Sequence, residues 1–444
     1  MKRLALLFGV FVLGLGSFSH AQWTIQLVDS TAGLFPCIRL DRFGYPHVGY
    51  SRNPIYNDVE RFAYWDGFRW QTETVDSSAS SPGHWGSLAL DTLGRPHLAY
   101  LQGTGSTGVL RYAYWDGAQW VKTTVDTNDD TFDAANIVVD RAGGVHFACH
   151  WTSGPYMKYM YWNGSQWWKQ VVDSSSPGDA SGLGLDSLGR PHLSFQTQAH
   201  GGGDPVHCYW NGSSWVKEWH NDPTFSAQIS SIALDSLDWP QIFYYASPRL
   251  KYMRWNGTGW DTMSIADSAY GSTSGLVLDA LGRPHVAYAV YRGSSRYRIE
   301  HAWWNGSSWR KEVVDTTLTP YYGYLPSLDM DSQGFVWVAY TDNLRLKVAH
   351  RLFGAVEQTH ETENGRSFDL RHLGKTVSFT VNKPSWAELT AYDILGRKAS
   401  TLYSGWASSG ETKVAFPARL RSGVYFLRLT TGEGSLTRKM VWLR

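Results

Sequence analysis

A unit of about 48 residues recurs seven times between residues 23 and 364 and constrains the fold more than any other feature of the chain. Its consensus runs apolar-Leu-Asp-x-x-Gly-x-Pro-His-apolar-Ala-Tyr, then a variable stretch, then Tyr-Trp-(Asp/Asn)-Gly-x-x-Trp and Val-Asp. The Pro-His position falls at His47, His97, His146, His192, Gln241, His285 and Trp337, six steps over 290 residues. A fixed period of this size, made of short strands, marks a β-propeller, because one small sheet cannot bury its faces without a neighbour on each side.

Residues 86–126 show how a unit folds. Ser87–Asp91 reads as a short apolar strand and Thr92–Arg95 as a turn. Pro96–Leu101 is a second strand, with its proline at the first position, where a missing N–H is tolerated. Leu110–Trp115 is a third strand, Asp116-Gly117 a tight hairpin and Gln119–Asp126 a fourth strand. The last Trp of the motif recurs as Trp70, Trp120, Trp167, Trp215, Trp260 and Trp309, but the seventh unit has no counterpart after Gly354. The missing strand stands at the other end of the chain. Trp23–Asp29 has the same six-residue step from Trp to Asp as Trp70–Asp76. The expected fold is all-β: a seven-bladed propeller closed by the N-terminal strand, which removes an open sheet edge, followed by a small C-terminal β-sandwich.

The recurrent tryptophans are expected between blades. Burying one removes roughly 150–250 Å², worth about 4–6 kcal/mol as an upper bound. The histidine column spreads around a ring and does not converge as a metal site must, so it is expected to hydrogen-bond one blade to the next. The aspartates Asp41, Asp91, Asp140, Asp186, Asp235, Asp279 and Asp331 read as turn-formers that accept local N–H groups.

Met1–Ala21 has a charged start at Lys2 and Arg3, an apolar run Leu4–Leu15 and a small-x-small end, the pattern of a secretory signal peptide. No later stretch approaches ~18 uninterrupted apolar residues, so no membrane span is expected in the mature chain. Cys37, Cys149 and Cys208 lack disulfide or metal spacing and read as buried thiols. Residues 22–364 carry 25 Lys/Arg against 34 Asp/Glu, a net of −9, whereas residues 365–444 carry 13 against 5, a net of +8. Nucleic acid is excluded as a partner of the acidic repeat region, since phosphate binding relies on clustered cations. The divisions expected are a signal peptide 1–21, a propeller 22–354, a polar linker 355–365 and a C-terminal domain 366–444.

Two resemblances follow from these motifs. The hairpin Tyr-Trp-(Asp/Asn)-Gly-x-x-Trp resembles the Asp-box hairpin of sialidase-like, or BNR, propellers. That resemblance implies the architecture; the family's Phe/Tyr-Arg-Ile-Pro motif has no match at Phe35–Arg39, and its catalytic set is not placed here. The tail resembles a type A sorting domain of the type IX secretion system. The residues that carry this are Ala391–Arg397, with Asp393 and Gly396, then Gly410, then Leu420–Leu429, with Gly423, Val424 and Tyr425, and finally Lys439–Val441. The resemblance implies export across the outer membrane of a diderm bacterium, with the type IX machinery as partner and secretion or surface attachment as the outcome.

Loops that join second to third strands, and one blade to the next, share one face and carry nearly all the variation between units. Scaffolds that vary loops on one face bind there. Tyr56, Trp85, Trp151, Tyr156, Tyr291, Arg292, Tyr321 and Tyr322 are the candidate ligand contacts. A column of mostly basic residues (Arg61, Arg111, Lys158, Val206, Lys251, Glu300, Lys347) lies at the same end; it could face an acidic glycan, though pairing with the aspartates that end the fourth strands is favoured. No cofactor is expected, with Ca²⁺ at the oxygen-rich Asp126–Asp133 as the one alternative. The expected function is a secreted or cell-surface propeller that binds an extracellular glycan or protein. The alternatives are a glycan-active hydrolase or lyase using a pair among Asp129, Asp130, Asp133, Asp179 and Asp204, or a structural surface-layer component.

Overall fold

A computed structural model describes residues 23–52, 59–78, 82–103, 108–128, 132–151, 156–175, 182–197, 203–220, 227–246, 248–269, 275–293, 296–318, 326–332, 334–353, 368–373, 376–393, 397–417, 420, 423–431 and 434–442. These residues form strands and turns; among them no helix is long and apolar enough to cross a membrane. Six sheets each contain four consecutive antiparallel strands. They begin at Leu34–Leu40, Pro82–Leu90, Phe132–Val139, Gly182–Leu185, Ala227–Leu234 and Leu276–Leu278. The seventh sheet holds Ser327–Met330, Phe335–Asp342, Arg345–Leu352 and, on its outer side, the N-terminal strand Thr24–Asp29. Its register sets Ile25 opposite Ala349 and Leu27 opposite Lys347. Seven four-stranded sheets, one per repeat, are consistent with a β-propeller.

Neighbouring sheets meet through one recurrent contact. A small residue on the first strand of one sheet caps a backbone N–H on the first strand of the next. Leu88 donates to Cys37 Sγ (3.4 Å), Ile137 to Ser87 Oγ (3.4 Å) and Leu276 to Ser231 Oγ (3.2 Å). Ile38 of the first sheet donates likewise to Ser327 Oγ of the seventh (3.1 Å). Gly275 takes this position in the sixth sheet, where a Cβ would lie 2.8 Å from the Leu328 nitrogen, so only glycine fits.

The tryptophans do pack between sheets. Trp120 meets Phe62, Trp167 meets Tyr112, Trp215 meets Tyr159, Trp260 meets His207 and Trp309 meets Tyr252, all edge-on at 5.2–5.9 Å. In each pair the second ring belongs to the third strand of the preceding sheet. Trp23 repeats the geometry against His301 of the sixth sheet, at 5.7 Å and 81°. Edge-to-face pairing adds to the area each ring buries.

The histidine column differs from the expectation. Its bonds run within a sheet: His97 and His146 share hydrogen bonds with Tyr112 and Tyr159 (2.6 Å each), and His192 and His285 with His207 and His301 (3.0 Å each). The ring points along its own sheet because the third-strand partner lies on the same face, a direction that period alone does not reveal. Burial pushes His97 and His192 down to about 4, against partial opposition from Asp91 and Asp186, so both are neutral near pH 7. What joins neighbouring sheets is the aspartate ending each fourth strand. Asp29, Asp76 and Asp315 accept hydrogen bonds from Tyr50, Tyr100 and Tyr340 of the following sheet, each at 2.8 Å. Arg61, Lys158 and Lys347 of the basic column pair with Asp29 (3.3 Å), Asp126 (3.1 Å) and Asp315 (3.3 Å) in the same sense. The three cysteines are buried and free.

The C-terminal residues form two further sheets. One holds Phe368–Leu373, Thr376–Val381 and Gly410–Ala415; the other holds Lys398–Ala407, Ser385–Asp393, Gly423–Thr431 and Gly434–Trp442. They enclose one core, with Phe379, Leu389, Leu427 and Leu429 almost fully buried.

Candidate functional site

The ligand contacts expected on the variable face are only partly placed. Tyr56, Tyr321 and Tyr322 lie outside the described residues. Trp85 lies on the strand Pro82–Leu90, and Trp151 ends the strand Val145–Trp151, opposite Tyr156 in register. Tyr156 and Tyr291 are exposed, and the Tyr291 and Tyr297 rings lie 5.2 Å apart. The Arg292 N–H donates to the Arg296 carbonyl in a tight turn (2.8 Å). These residues occupy the expected end of their sheets and are spread over the second, third and sixth sheets. Among the sorting-motif residues, Asp393 opens a turn closed by Arg397, and Gly410 begins a strand with φ +111°. Gly423, Val424 and Tyr425 pair with Trp442, Val441 and Met440, with Lys439 opposite Phe426. Gly396 lies outside the described residues.

Of the acids suggested for a hydrolase, Asp129, Asp130 and Asp179 lie outside the described residues, Asp133 is on the strand Phe132–Val139, and Asp204 is buried. Among the described residues no group of three or more His, Cys, Asp or Glu could hold a metal ion. One carboxylate pair with opposed environments does occur. Glu60 faces Asp76 in register. Burial, reinforced by Asp76 and Cys37, pushes Glu60 well above the usual carboxylate range, and among the described residues neither of its oxygens has a hydrogen-bond partner. Burial also raises Asp76, but hydrogen bonds from Tyr100 and Ser78 and the charge of Lys122 outweigh it, leaving Asp76 low. Such a split suits acid–base chemistry, yet Glu60 is 0% exposed and no substrate reaches it. The position is apolar elsewhere: Leu110, Met157, Leu250, Ile299 and Leu346 stand there.

Glu60 is therefore a liability of the fold. Glu60→Leu is expected to stabilise the chain by about 1–3 kcal/mol at neutral pH, the cost of an unpaired buried polar group. The sign follows from linkage: with the folded pKa raised, the penalty is absent below the unfolded pKa and grows as pH rises toward the folded value. Urea unfolding between pH 4.5 and 8 measures this; a destabilised Glu60→Leu at pH 8 would show that the carboxylate serves an interaction.

The described cleft with ligand-binding chemistry lies on the opposite face, between the fifth and sixth sheets. Its volume is about 710 Å³, and its lining includes Asp235, Trp239, Gln241, Arg254, Trp255 and Asn256. It forms where the repeat breaks its own consensus. In the second, fourth and sixth sheets the turn reads Asp-x-Leu-Gly-Arg. There Arg95, Arg190 and Arg283 place Nε 2.6 Å from the second oxygens of Asp91, Asp186 and Asp279. The column histidines sit 3.7–3.8 Å from the same oxygens. In the fifth sheet Trp239 replaces the arginine and Gln241 the histidine. Gln241 turns away, accepting from Tyr252 (2.5 Å) and donating to the Gly282 carbonyl (3.2 Å).

Asp235 thus lacks both the guanidinium and the imidazole that stand beside its counterparts. Its Oδ1 accepts the N–H groups of Leu237 (2.9 Å) and Trp239 (3.0 Å), and its Oδ2 accepts nothing among the described residues. The half-buried Trp239 indole rests on the hairpin glycine Gly257, where an added Cβ would lie 3.0 Å from the ring. Asp238 takes the glycine position at φ +61°, a strained conformation anchored by Ser187 of the fourth sheet, whose N–H (2.8 Å) and Oγ (2.5 Å) both donate to it. Arg254 stands where Tyr64, Tyr114, Tyr161 and Tyr209 stand elsewhere, and pairs with Asp261 (3.3 Å), which Asn256 also contacts (3.0 Å). An aromatic face, an unpaired carboxylate oxygen, a guanidinium and a carboxamide therefore converge on one opening, the mix by which concave sites bind small polar ligands.

No protein-family model matches this chain, and no curated protein matches it. Similar solved structures include a Hadza microbial sialidase, Hz136, which is 13% identical and covers 74% of this chain and 68% of that one, with TM-score 0.47. They also include the SapL1 lectin in complex with α-methyl fucoside (17% identical, 66% of this chain, 99% of that one, TM-score 0.43). A third is YCF48 bound to D1 peptide (12% identical, 76% of this chain, 97% of that one, TM-score 0.47). At scores below 0.5 these likenesses carry no statement about a ligand.

Sequence reasoning noted Gln241 only as a gap in the histidine column and Asp235 only as a turn-former, a role the Leu237 and Trp239 N–H groups bear out, and it passed over Trp239 and Arg254. The signal was present. Asp238, Trp239, Gln241 and Arg254 are four departures from consensus within 17 residues.

Proposed function

We propose that this chain is a closed, seven-bladed propeller that binds carbohydrate in the cleft between its fifth and sixth sheets. The observation that carries the reading is Asp235 stripped of its arginine and histidine while an indole takes their place. A pyranose presents a C–H face that packs on an aromatic ring and hydroxyls that both donate and accept. Trp239 supplies the ring, Asp235 Oδ2 a free acceptor, and Arg254 with Asn256 the donors. Closure is supported by the contact between Ile38 and Ser327, which repeats that between successive sheets, and by the pairing of the N-terminal strand with Arg345–Leu352. The proposal extends to export: a signal peptide at 1–21, release or display outside the cell, and a type IX sorting domain at 366–444, supported by the order of Asp393, Gly410, Gly423, Tyr425 and Lys439 in the sequence.

A glycan array probed with the full chain tests the binding. Defined oligosaccharide hits are expected, weakened about thirtyfold or more by Trp239→Ala, as for a central aromatic anchor worth about 2 kcal/mol. No hit on the array, or hits indifferent to Trp239, would overturn the reading.

A further inference from the structure

The tail carries a copy of the propeller's own turn. Asp393-Ile394-Leu395-Gly396-Arg397 repeats the Asp-x-Leu-Gly-Arg of Asp91–Arg95, Asp186–Arg190 and Asp279–Arg283. The bonding matches as well. The Asp393 N–H donates to the Arg397 carbonyl (3.0 Å), the Arg397 N–H to Asp393 Oδ1 (3.1 Å) and Arg397 Nε to Asp393 Oδ2 (2.7 Å). For Asp91 and Arg95 the same three distances are 3.0, 2.8 and 2.6 Å. The first sheet departs from this pattern in the complementary way. Its turn Asp41–Tyr45 keeps the backbone bonds, with the Tyr45 N–H 2.9 Å from Asp41 Oδ1, but has tyrosine where the arginine would be. Arg397 of the tail meets that tyrosine: its guanidinium lies 5.0 Å over the Tyr45 ring and donates to the Tyr45 hydroxyl. Around this contact Arg397 and Lys398 close one side of a cleft of about 560 Å³, whose other walls are the turn 40–45 and residues 329–332 of the seventh sheet. Asp41 and Asp331 stand in that cleft, and the two regions carry opposite net charge, −9 for residues 22–364 and +8 for residues 365–444.

We propose that Arg397 on Tyr45 is an intramolecular latch that seats the C-terminal sheets over the junction of the first and seventh sheets. The partner of this surface is the chain's own tail, and the Asp393–Arg397 turn is occupied while the latch is shut. The inference stands apart from the carbohydrate cleft, since it needs no ligand. Tyr45→Arg tests it. The turn tolerates arginine in three other sheets, so the variant folds, pairs its new guanidinium with Asp41 and sets a like charge against Arg397. Small-angle scattering of the full chain is expected to show a maximum dimension longer by on the order of 10–20 Å, the reach of an eleven-residue connection. An unchanged melting temperature would show that both sheet groups remain folded. Tyr45→Ala, which removes ring and hydroxyl without adding charge, is expected to move in the same direction, as is the wild type in high salt. Scattering curves of both variants that superimpose on the wild type would overturn the latch.

Discussion

Trp23→Ala is expected to cost about 3–5 kcal/mol of stability, the range for truncating a large buried aromatic side chain. Urea unfolding followed by intrinsic fluorescence measures it as a lower midpoint at an unchanged slope. The size of the effect is unusual for a residue at the start of the described residues, since surface substitutions normally fall within about 0.5 kcal/mol. It follows from where the ring lies. Trp23 is 7% exposed, sits edge-on to His301 and has the Arg351 guanidinium 5.6 Å above it, within a core drawn from the sixth and seventh sheets. Trp120→Ala is the internal standard, because Trp120 makes the same contact with Phe62 in mid-chain. Equal losses for the two variants mean the N-terminal strand carries as much load as any fourth strand. A loss below about 1 kcal/mol for Trp23 alone would mean that the strand is dispensable and the ring does not depend on it.

Much of the scaffold could be read from the sequence because the repeat states the same physics seven times. Asp116 and Asn163 cap hairpins of one geometry, accepting two successive N–H groups at 2.8–3.0 Å. The step from Trp23 to Asp29 was enough to assign that segment to the outer edge of the seventh unit. Direction was harder than position. The histidine column has a clear period, but whether each ring points within its sheet or across to the next depends on the third-strand Tyr or His, which only the strand register places diagonally across from it. The candidate site was the least legible part, because forming a consensus treats departures as noise, and Asp235 matters through the loss of two neighbours. The Arg397–Tyr45 contact was invisible for another reason: 352 residues separate the partners, and nothing local in either segment signals the other. The aromatic loop residues Tyr56, Tyr321 and Tyr322 lie outside the described residues, so that expectation stands as it was.

The proposed cleft in the fifth sheet would arise without a new loop. Replacing arginine by Trp239 and histidine by Gln241 removes a guanidinium and a neutral imidazole from beside one carboxylate and adds an aromatic face. The fifth sheet stays tied to its surroundings, because Gln241 keeps the hydrogen bond to the third strand through Tyr252 and gains one to the next sheet through Gly282. The reverse exchange is therefore informative. Trp239→Arg with Gln241→His restores the Arg-Pro-His found after the turn in three other sheets and leaves Asp238 in the glycine position it already holds, so stability is expected to stay near that of the wild type.

Calorimetric titration of the strongest array hit into the wild type and into this double variant is the most direct test of carbohydrate binding at the cleft. With Arg occupying the second oxygen of Asp235 and the indole gone, affinity is expected to fall at least 100-fold, since more than 2.7 kcal/mol of contact is removed, while the melting temperature holds. Undiminished binding by the folded double variant would contradict the account and move the site elsewhere on the molecule.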